Sequence, residues 1–438
     1  MSTAPELDHL FRHATAQVVA ALTRQLGAHH IDVAEEATQD AVLKALAHWR
    51  FHGVPRNPAG WLYRTARNRA LDLLRRDTSL AGKLEALEPS ATPTASSPPA
   101  AVDAPADAMF ADAELALVFL CCHPALSLDA RLALTLKLAG GFTVEEIAAA
   151  FLAEPATIAQ RIVRAKRTLA AADDAIELLD PADVARRLDS VLEALYLLFN
   201  EGYDAHAGDT LVRPELCGEA IRLMRLVVGD ERTDLPHADA LLALMLFQAS
   251  RLPARSDADG ALVLLRDQDR SLWDASLIAE ATRWLDRSLR GDRITAWHVQ
   301  AVIAATHARA SSGDDTDWPA ILGLYDQLNA LEPTPVVALN RAIARAHVDG
   351  PRAALADALP LLEHPAMRRY PLLHATLASF AEQLDDPVAA IAHYRAALCL
   401  PCNAVERAFM QAQLTRLADA GSGVAVRFLH NCVTPHQD

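Results

Sequence analysis

Residues 145–169 read EEIAAAFLAEPATIAQRIVRAKRTL. Thr143 to Phe151 has the spacing of a short helix, Leu152, Ala153 and Glu154 interrupt it, and Pro155 to Ala172 forms a second helix. Proline suits the opening turn of that second helix, where its missing N–H leaves no bond unmade. Arg161, Arg164, Lys166 and Arg167 all fall on it, with no acidic residue between 155 and 170. A short helix, a tight turn and a basic helix match the helix-turn-helix arrangement, whose second helix enters a DNA major groove.

The surroundings of this stretch read as helix throughout. Glu6 to Leu26 is amphipathic and stops at Gly27. Asp32 to Trp49 opens with Asp32 at the N-cap and Glu35 three residues on, in the pattern of a capping box. It turns Glu35, Glu36, Gln39 and Asp40 to one side and Val33, Ala37, Leu43 and Leu46 toward a core. Pro58 to Asp77 sets Arg64, Asn68, Asp72 and Arg75 on one face and Leu62, Ala66, Ala70 and Leu73 on the other. The loop Arg50 to Asn57 and Trp61, an aromatic of the kind that stacks on an unpaired base, precede this basic stripe. Residues 89–107, PSATPTASSPPAAVDAPAD, hold five prolines and read as a flexible linker. Beyond it, 112–138 is helical around a break at Pro124 and ends at Gly140-Gly141.

Composition agrees with an all-α chain. At 438 residues the prior is about three domains. Aromatics are only 5% and alanine is abundant, which argues against an all-β architecture. The N-terminus lacks a basic segment followed by an apolar run, and no stretch reaches the length of a membrane span, so the expectation is a cytoplasmic protein without membrane contact. Six scattered cysteines suit a reducing compartment. The net charge of −15 is unevenly spread. Residues 41–76 hold eight basic side chains and one acidic one, whereas residues 173–438 carry a net −14. Two basic stretches in front of a long acidic body are the footprint of a polyanion-binding head joined to something with another task.

From Asp183 onward the helical spacing resumes. YDQLNALEPTPVVALNRAIA from Tyr325 resembles YRAALCLPCNAVERAFMQAQ from Tyr394, an offset of 69 residues and about twice the tetratricopeptide period. Residues 318–419 therefore read as three helix pairs, and a peptide or protein partner is the natural occupant of such repeats. Cys399-Leu-Pro-Cys402 has redox spacing but falls between two repeat helices rather than after a strand. Cys121, Cys122 and His123 are adjacent, which is poor spacing for one tetrahedral zinc, and read as buried side chains. FNEGYDAHAGD (199–209) reads either as a helix-hairpin corner or as a small-ligand pocket. No phosphate-binding glycine loop, nucleophile elbow or zinc-binding helix motif is present, so no catalytic residue, cofactor or metal is expected.

The series AEEATQDAVLKAL (34–46), NPAGWLYRTARNRALDLLRR (57–76) and the stretch 145–169 resembles domains 2 and 4 of the extracytoplasmic-function (ECF) group of bacterial sigma factors. Thr157, Arg161, Arg164, Ala165 and Lys166 stand in register with that group's pattern; Leu152 and Ala156 replace glycines and Val42 replaces a common phenylalanine. CCHPALS (121–127), YLLFNEGY (196–203), DQDRSLWD (267–274), QAVIAATHA (300–308), TDWPAILGLYDQL (316–328) and LNRAIA (339–344) extend the resemblance to an ECF subgroup with a long tetratricopeptide-like extension. The resemblance implies sigma domain 2 over 1–80, a linker over 81–111, a helix-turn-helix domain 4 over 112–175, an all-helical extension over 176–315 and repeats over 316–438. It implies a contact with core RNA polymerase through Glu36, Gln39, Asp40, Val42 and Leu43. It also implies a proximal promoter contact through Arg56, Asn57, Trp61, Arg64, Arg67, Asn68, Arg75 and Arg76. The distal contact would use Thr157, Gln160, Arg161 and Arg164 at base edges, with Lys166 and Arg167 on phosphates. A thirty-residue linker would reach about 100 Å, more than the ~70 Å of two DNA turns. Two other readings stay open here: a DNA-binding regulator acting without polymerase, and a helical-repeat adaptor.

Overall fold

The computed structural model describes residues 4–85, 106–151, 153–172, 181–204 and 211–420. Among these the chain is all-α, with one isolated antiparallel bridge between Ser256 and Leu262 and no strand. It divides into two compact units, residues 1–201 with 215–238, and residues 202–214 with 239–438.

The first unit holds α1 (Ala4–Leu26), α2 (Ile31–His52), α3 (Pro58–Glu85), α4 (Ala106–Cys121), α5 (Leu128–Leu138), α6 (Val144–Ala150), α7 (Pro155–Ala171), α8 (Pro181–Tyr203) and α9 (Pro214–Gly229). Gly27 takes φ +92° and lets the chain leave α1. A 3₁₀ turn, Ala28–His30, then runs directly into α2, so His30 occupies the N-cap and Asp32 lies inside the first turn rather than capping it. The buried stripe of α2 is Ala34, Ala37, Thr38, Ala41, Ala45 and Trp49. These mostly small side chains let Val18 and Leu22 of α1 and Leu62, Ala66 and Ala70 of α3 close around them. Leu43 and Leu46 are therefore excluded from the core, at 65% and 53% exposed, contrary to the sequence expectation. Trp49 closes one end, stacked on Phe11 at 5.2 Å with Trp61 edge-on at 5.5 Å.

α3 continues past Asp77 to Glu85, and α4 begins at Ala106, so helix enters both ends of the segment expected to be linker. Its Pro-rich remainder, 86–105, lies outside the described residues. α4 is apolar on nearly every side, as a helix packed all round must be. Its cysteines bond into α5, Cys121 Sγ to the Leu134 carbonyl at 3.8 Å and Cys122 Sγ beside Thr135 Oγ1 at 3.6 Å. Burial pushes both thiols up, Cys122 to about 11. α8 and α9 belong to this unit rather than to the body that follows. Arg222 of α9 pairs with Glu114 of α4 at 2.6 Å and with Glu219 at 2.7 Å, and donates to the Ala139 carbonyl at 3.2 Å. Glu114 is 2% exposed, and desolvation holds its carboxyl above the ordinary value despite the opposing pull of Arg222. The compact unit thus takes in α8 and α9 and reaches Ala238.

The second unit holds α10 (Pro236–Ala249), whose first residues belong to the other unit, α11 (Ala275–Ser288), α12 (Ala296–Arg309), α13 (Trp318–Leu331), α14 (Pro335–Asp349), α15 (Pro351–Ala358), α16 (Pro371–Gln383), α17 (Pro387–Leu398) and α18 (Ala404–Ala420). Asp239 of α10 is fully buried and carries Arg287 at 3.0 Å and Arg290 at 3.2 Å. From α13 onward each helix packs on the next in chain order. The 69-residue offset recurs in the caps: Asp317 and Asp386 accept from Ala320 and Ala389 N–H groups, and Thr334 and Asn403 from those of Val337 and Glu406. It recurs in the core as well, where Ile321 and Leu328 have Ala390 and Ala397 as counterparts. Of FNEGYDAHAGD, residues 199–203 end α8 and 205–210 lie outside the described residues.

Candidate nucleic-acid interface

The helix-turn-helix is built by α6 and α7. Thr143 caps α6 with a reciprocal pair: the Glu146 N–H donates to Thr143 Oγ1 at 3.1 Å, and the Thr143 N–H to Glu146 Oε2 at 2.7 Å. Arg12 of α1 adds an ion pair to Glu146 at 2.7 Å. Burial acts against the charge, but these bonds outweigh it and hold the Glu146 carboxyl below its ordinary value. The turn closes through an Ala153 N–H bond to the Ala148 carbonyl at 2.9 Å. Leu152, where the sequence lacks the expected glycine, lies outside the described residues, and Ala156 sits within α7.

α7 buries Ile158, Ile162, Ala165 and Leu169 along one stripe. Thr157, Gln160, Arg161 and Arg164 line a shallow hollow together with Ala125 to Asp129. Thr157, Gln160, Arg164 and Arg167 are exposed, while Arg161 is half-buried and paired with Asp129 at 3.2 Å. Lys166 does not join them. At 100° per residue it lies half a turn from Thr157, and it is 13% exposed against α2, 2.7 Å from Asp32 and also paired with Glu35. Burial opposes its charge, but the Glu35 and Asp32 carboxylates prevail and raise its pKa. The expected phosphate contact by Lys166 is thus replaced by a contact within the protein.

On α3, Arg64, Asn68, Arg75 and Arg76 are exposed and Arg67 is half-buried. Arg69 turns the other way, to Asp40 at 2.5 Å and Glu36 at 3.5 Å. Asn57 caps α3 by accepting the Gly60 N–H at 2.7 Å, so its side chain already has a structural task. Trp61 is half-buried between His48, stacked at 5.9 Å, and Trp49, rather than projecting toward a base. Phe51 is the aromatic that projects, 80% exposed at the end of α2 beside Arg50 and ahead of exposed Arg56. Sequence reading passed it over, although an aromatic between Arg50 and His52 just before Gly53 is a signal of that kind.

α2 offers a different surface. Glu36, Gln39, Leu43 and Leu46 are exposed along one side, with Asp40 and Val42 half-buried beside them. Its N-terminal part, Asp32, Glu35, Glu36 and Gln39, forms one wall of a cleft of about 300 Å³ whose other wall is Ala159, Ile162, Val163 and Lys166 of α7. An acidic and apolar helix face, a basic helix and a helix-turn-helix thus lie in one unit.

Residues 10–79 match the family described as Sigma-70 region 2, and residues 116–169 match Sigma-70, region 4. The chain carries sigma-70 regions 2 and 4. Its region 2 is formed by α1–α3 and its region 4 by α4–α7. Residues 187–289 match a Family of unknown function, DUF6596, which runs from α8 to just past α11. An uncharacterised protein of Rhizobium meliloti (strain 1021) is 40% identical over 424 residues, covering 96% of this chain and 97% of that protein. The two sigma regions and the extension are therefore shared as one architecture. Among the described residues no helix is long and apolar enough to cross a membrane, and no cluster of His, Cys, Asp or Glu could hold a metal.

Proposed function

We propose that this sigma factor is of the ECF type with a tetratricopeptide-like extension, binds core RNA polymerase in the cytoplasm and directs initiation at two promoter elements. The observation that carries the reading is the exposed strip Glu36, Gln39, Leu43 and Leu46 on α2, next to the basic face of α3 and in one unit with the helix-turn-helix. Two exposed leucines beside carboxylates suit a protein partner rather than DNA. On the proximal element, Arg64, Arg67, Arg75 and Arg76 neutralise phosphates, Asn68 and Arg56 reach bases, and Phe51 offers the stacking surface. On the distal element, Thr157, Gln160, Arg161 and Arg164 approach base edges, with Arg167 on phosphate.

The docked state of α7 on α2 is not the promoter-bound one. Two elements about two turns apart are ~70 Å distant, whereas Lys166 here touches Asp32. Promoter engagement breaks the Lys166 and Arg12 ion pairs and separates the two regions. From Glu85 to Ala106 the extended chain spans only about 70–75 Å, so the tether matches the required span with little to spare.

The extension is required for region 4, because α9 supplies the cation for the buried Glu114. Run-off transcription with core polymerase on the protein's own upstream region tests the whole reading. Full-length chain and residues 1–238 should give a specific transcript and residues 1–175 should not. Duplex binding without a transcript from any form would instead make the protein a polymerase-independent regulator.

A further inference from the structure

The second unit contains a cavity of about 490 Å³, bounded by the 262–270 segment, the end of α12 and helices α13, α14, α16, α17 and α18. That volume suits a small molecule. Its walls include the apolar side chains Leu262, Ile343, Phe380, Phe409 and Met410. They also include Arg270 and His307. The last two come from two segments, DQDRSLWD and QAVIAATHA, that the sigma regions leave without a task.

Among the described residues the charge of Arg270 is not balanced by an ion pair. Arg270 lies 4.0 Å over the Trp273 ring, and its Nε and Nη1 are buried without a hydrogen-bond partner among the described residues. Arg251 stands over the same ring at 5.4 Å, and its guanidinium donates to the amide oxygens of Gln248 and Gln268, each at 3.4 Å. Arg255, behind them, has Asp204 at 3.0 Å. The field of the arginines is felt by His307, whose pKa burial first and then Arg251, Arg270 and His347 push down to about 3, leaving it neutral. Among the cavity's other charges, Arg266 pairs with Asp267 at 3.5 Å, Glu382 pairs with Arg416 and accepts from the Tyr394 hydroxyl at 2.8 Å, and Glu406 accepts from the Asn403 N–H at 3.4 Å. Taking guanidinium atoms out of water without a counter-charge is unfavourable. A bound anion removes that cost, and guanidinium favours carboxylates.

We propose that this cavity is a binding site for a small amphiphilic carboxylate, its anionic head at Arg270 and His307 and its apolar body against Ile343, Phe380 and Phe409. The proposal goes beyond the sigma reading and is tested without polymerase, so the failure of either leaves the other standing.

The test is calorimetric titration and thermal melting of the full-length chain with hexanoate, decanoate and phenylacetate, their matched amides, and a short acidic peptide with a free C-terminus. A carboxylate should bind and raise the melting temperature while its amide does not. Arg270→Gln should weaken that binding by roughly ten- to a hundredfold, the worth of one bond to a charged group, while the unliganded variant melts at the same or a higher temperature. Ile343→Trp, which adds bulk at an apolar wall, should also block binding. No response to any of the three carboxylates, equal binding of acid and amide, or undiminished binding by Arg270→Gln would overturn the proposal. Binding of the peptide alone would overturn it too, and would assign the cavity to a protein partner.

Discussion

Region 2 and region 4 solve the problem of a small core differently. Region 2 packs Ala34, Ala37, Ala41 and Ala45 against Val18, Leu22, Leu62 and Ala66, all from its own three helices, and leaves its functional faces outside. Region 4 leans on its neighbours. Its recognition helix is pinned to α2 through Lys166, its capping box is tied to α1 through Arg12, and the buried Glu114 of α4 draws its cation from α9. Region 2 closes its core with its own helices, whereas region 4 takes the cation for a buried carboxylate from outside itself; the Lys166 and Arg12 pairs draw charge from both regions.

The contrast is broken most severely at Arg222. Arg222→Ala leaves Glu114 and Glu219 without their cation and should cost about 3–5 kcal/mol. Urea denaturation should show region 4 unfolding before region 2, and a uniform loss in both would dissolve the distinction. In region 2 the matching substitution is Leu62→Ala, a fully buried side chain. It should cost about 2–5 kcal/mol and lower the region 2 transition without touching the distal contact.

Smaller effects sharpen the comparison. Leu43→Arg adds charge to an exposed apolar position and should reduce core-polymerase affinity by roughly tenfold or more, with the melting temperature unchanged. Lys166→Ala should leave the salt dependence of duplex binding unaltered, because the side chain lies on the opposite side of α7 from Thr157, and should raise duplex affinity modestly, because the docking pair with Asp32 and Glu35 no longer has to break. A phosphate contact would instead lower the log-log salt slope by about 0.9.

The smallest effect belongs to Glu146. Its folded pKa is lowered, so it adds stability above the ordinary carboxyl range near ~4.3 and loses it as pH falls through the folded value. Glu146→Gln should cost at most about 1 kcal/mol at neutral pH, since the pair with Arg12 is partly exposed. The difference from wild type should vanish on acidification, which pH-dependent melting would record.

The helical class, the two basic helices and the turn between α6 and α7 were legible because they rest on local signals: periodicity, proline in an opening turn and Thr143 with Glu146. The recurrence behind α13–α14 and α17–α18 was legible from the spacing of Tyr325 and Tyr394, and the caps repeat at the same interval. What failed was tertiary. Leu43 and Leu46 look like core by hydropathy, yet four alanines and Trp49 occupy that side of α2 because close helix approach rewards small residues. Lys166 belongs to the basic run by composition, but helical geometry turns it from the face of Thr157 and Arg164. Asp32 fits a cap by pattern, and the 3₁₀ turn before it removes the need for one. That the compact unit runs on to residue 238, past region 4, was not legible either, because the pairing of Glu114 with Arg222 spans residues that no local window joins.

The central claim is that α7 rests on the helix proposed to receive polymerase. The direct measurement is the equilibrium affinity of full-length protein for core RNA polymerase, compared between wild type and Lys166→Ala. Releasing α7 opens the cleft it forms beside Glu36 and Gln39, and the variant should bind about five- to tenfold more tightly, the equivalent of roughly 1 kcal/mol. Equal or weaker binding by Lys166→Ala would contradict the account.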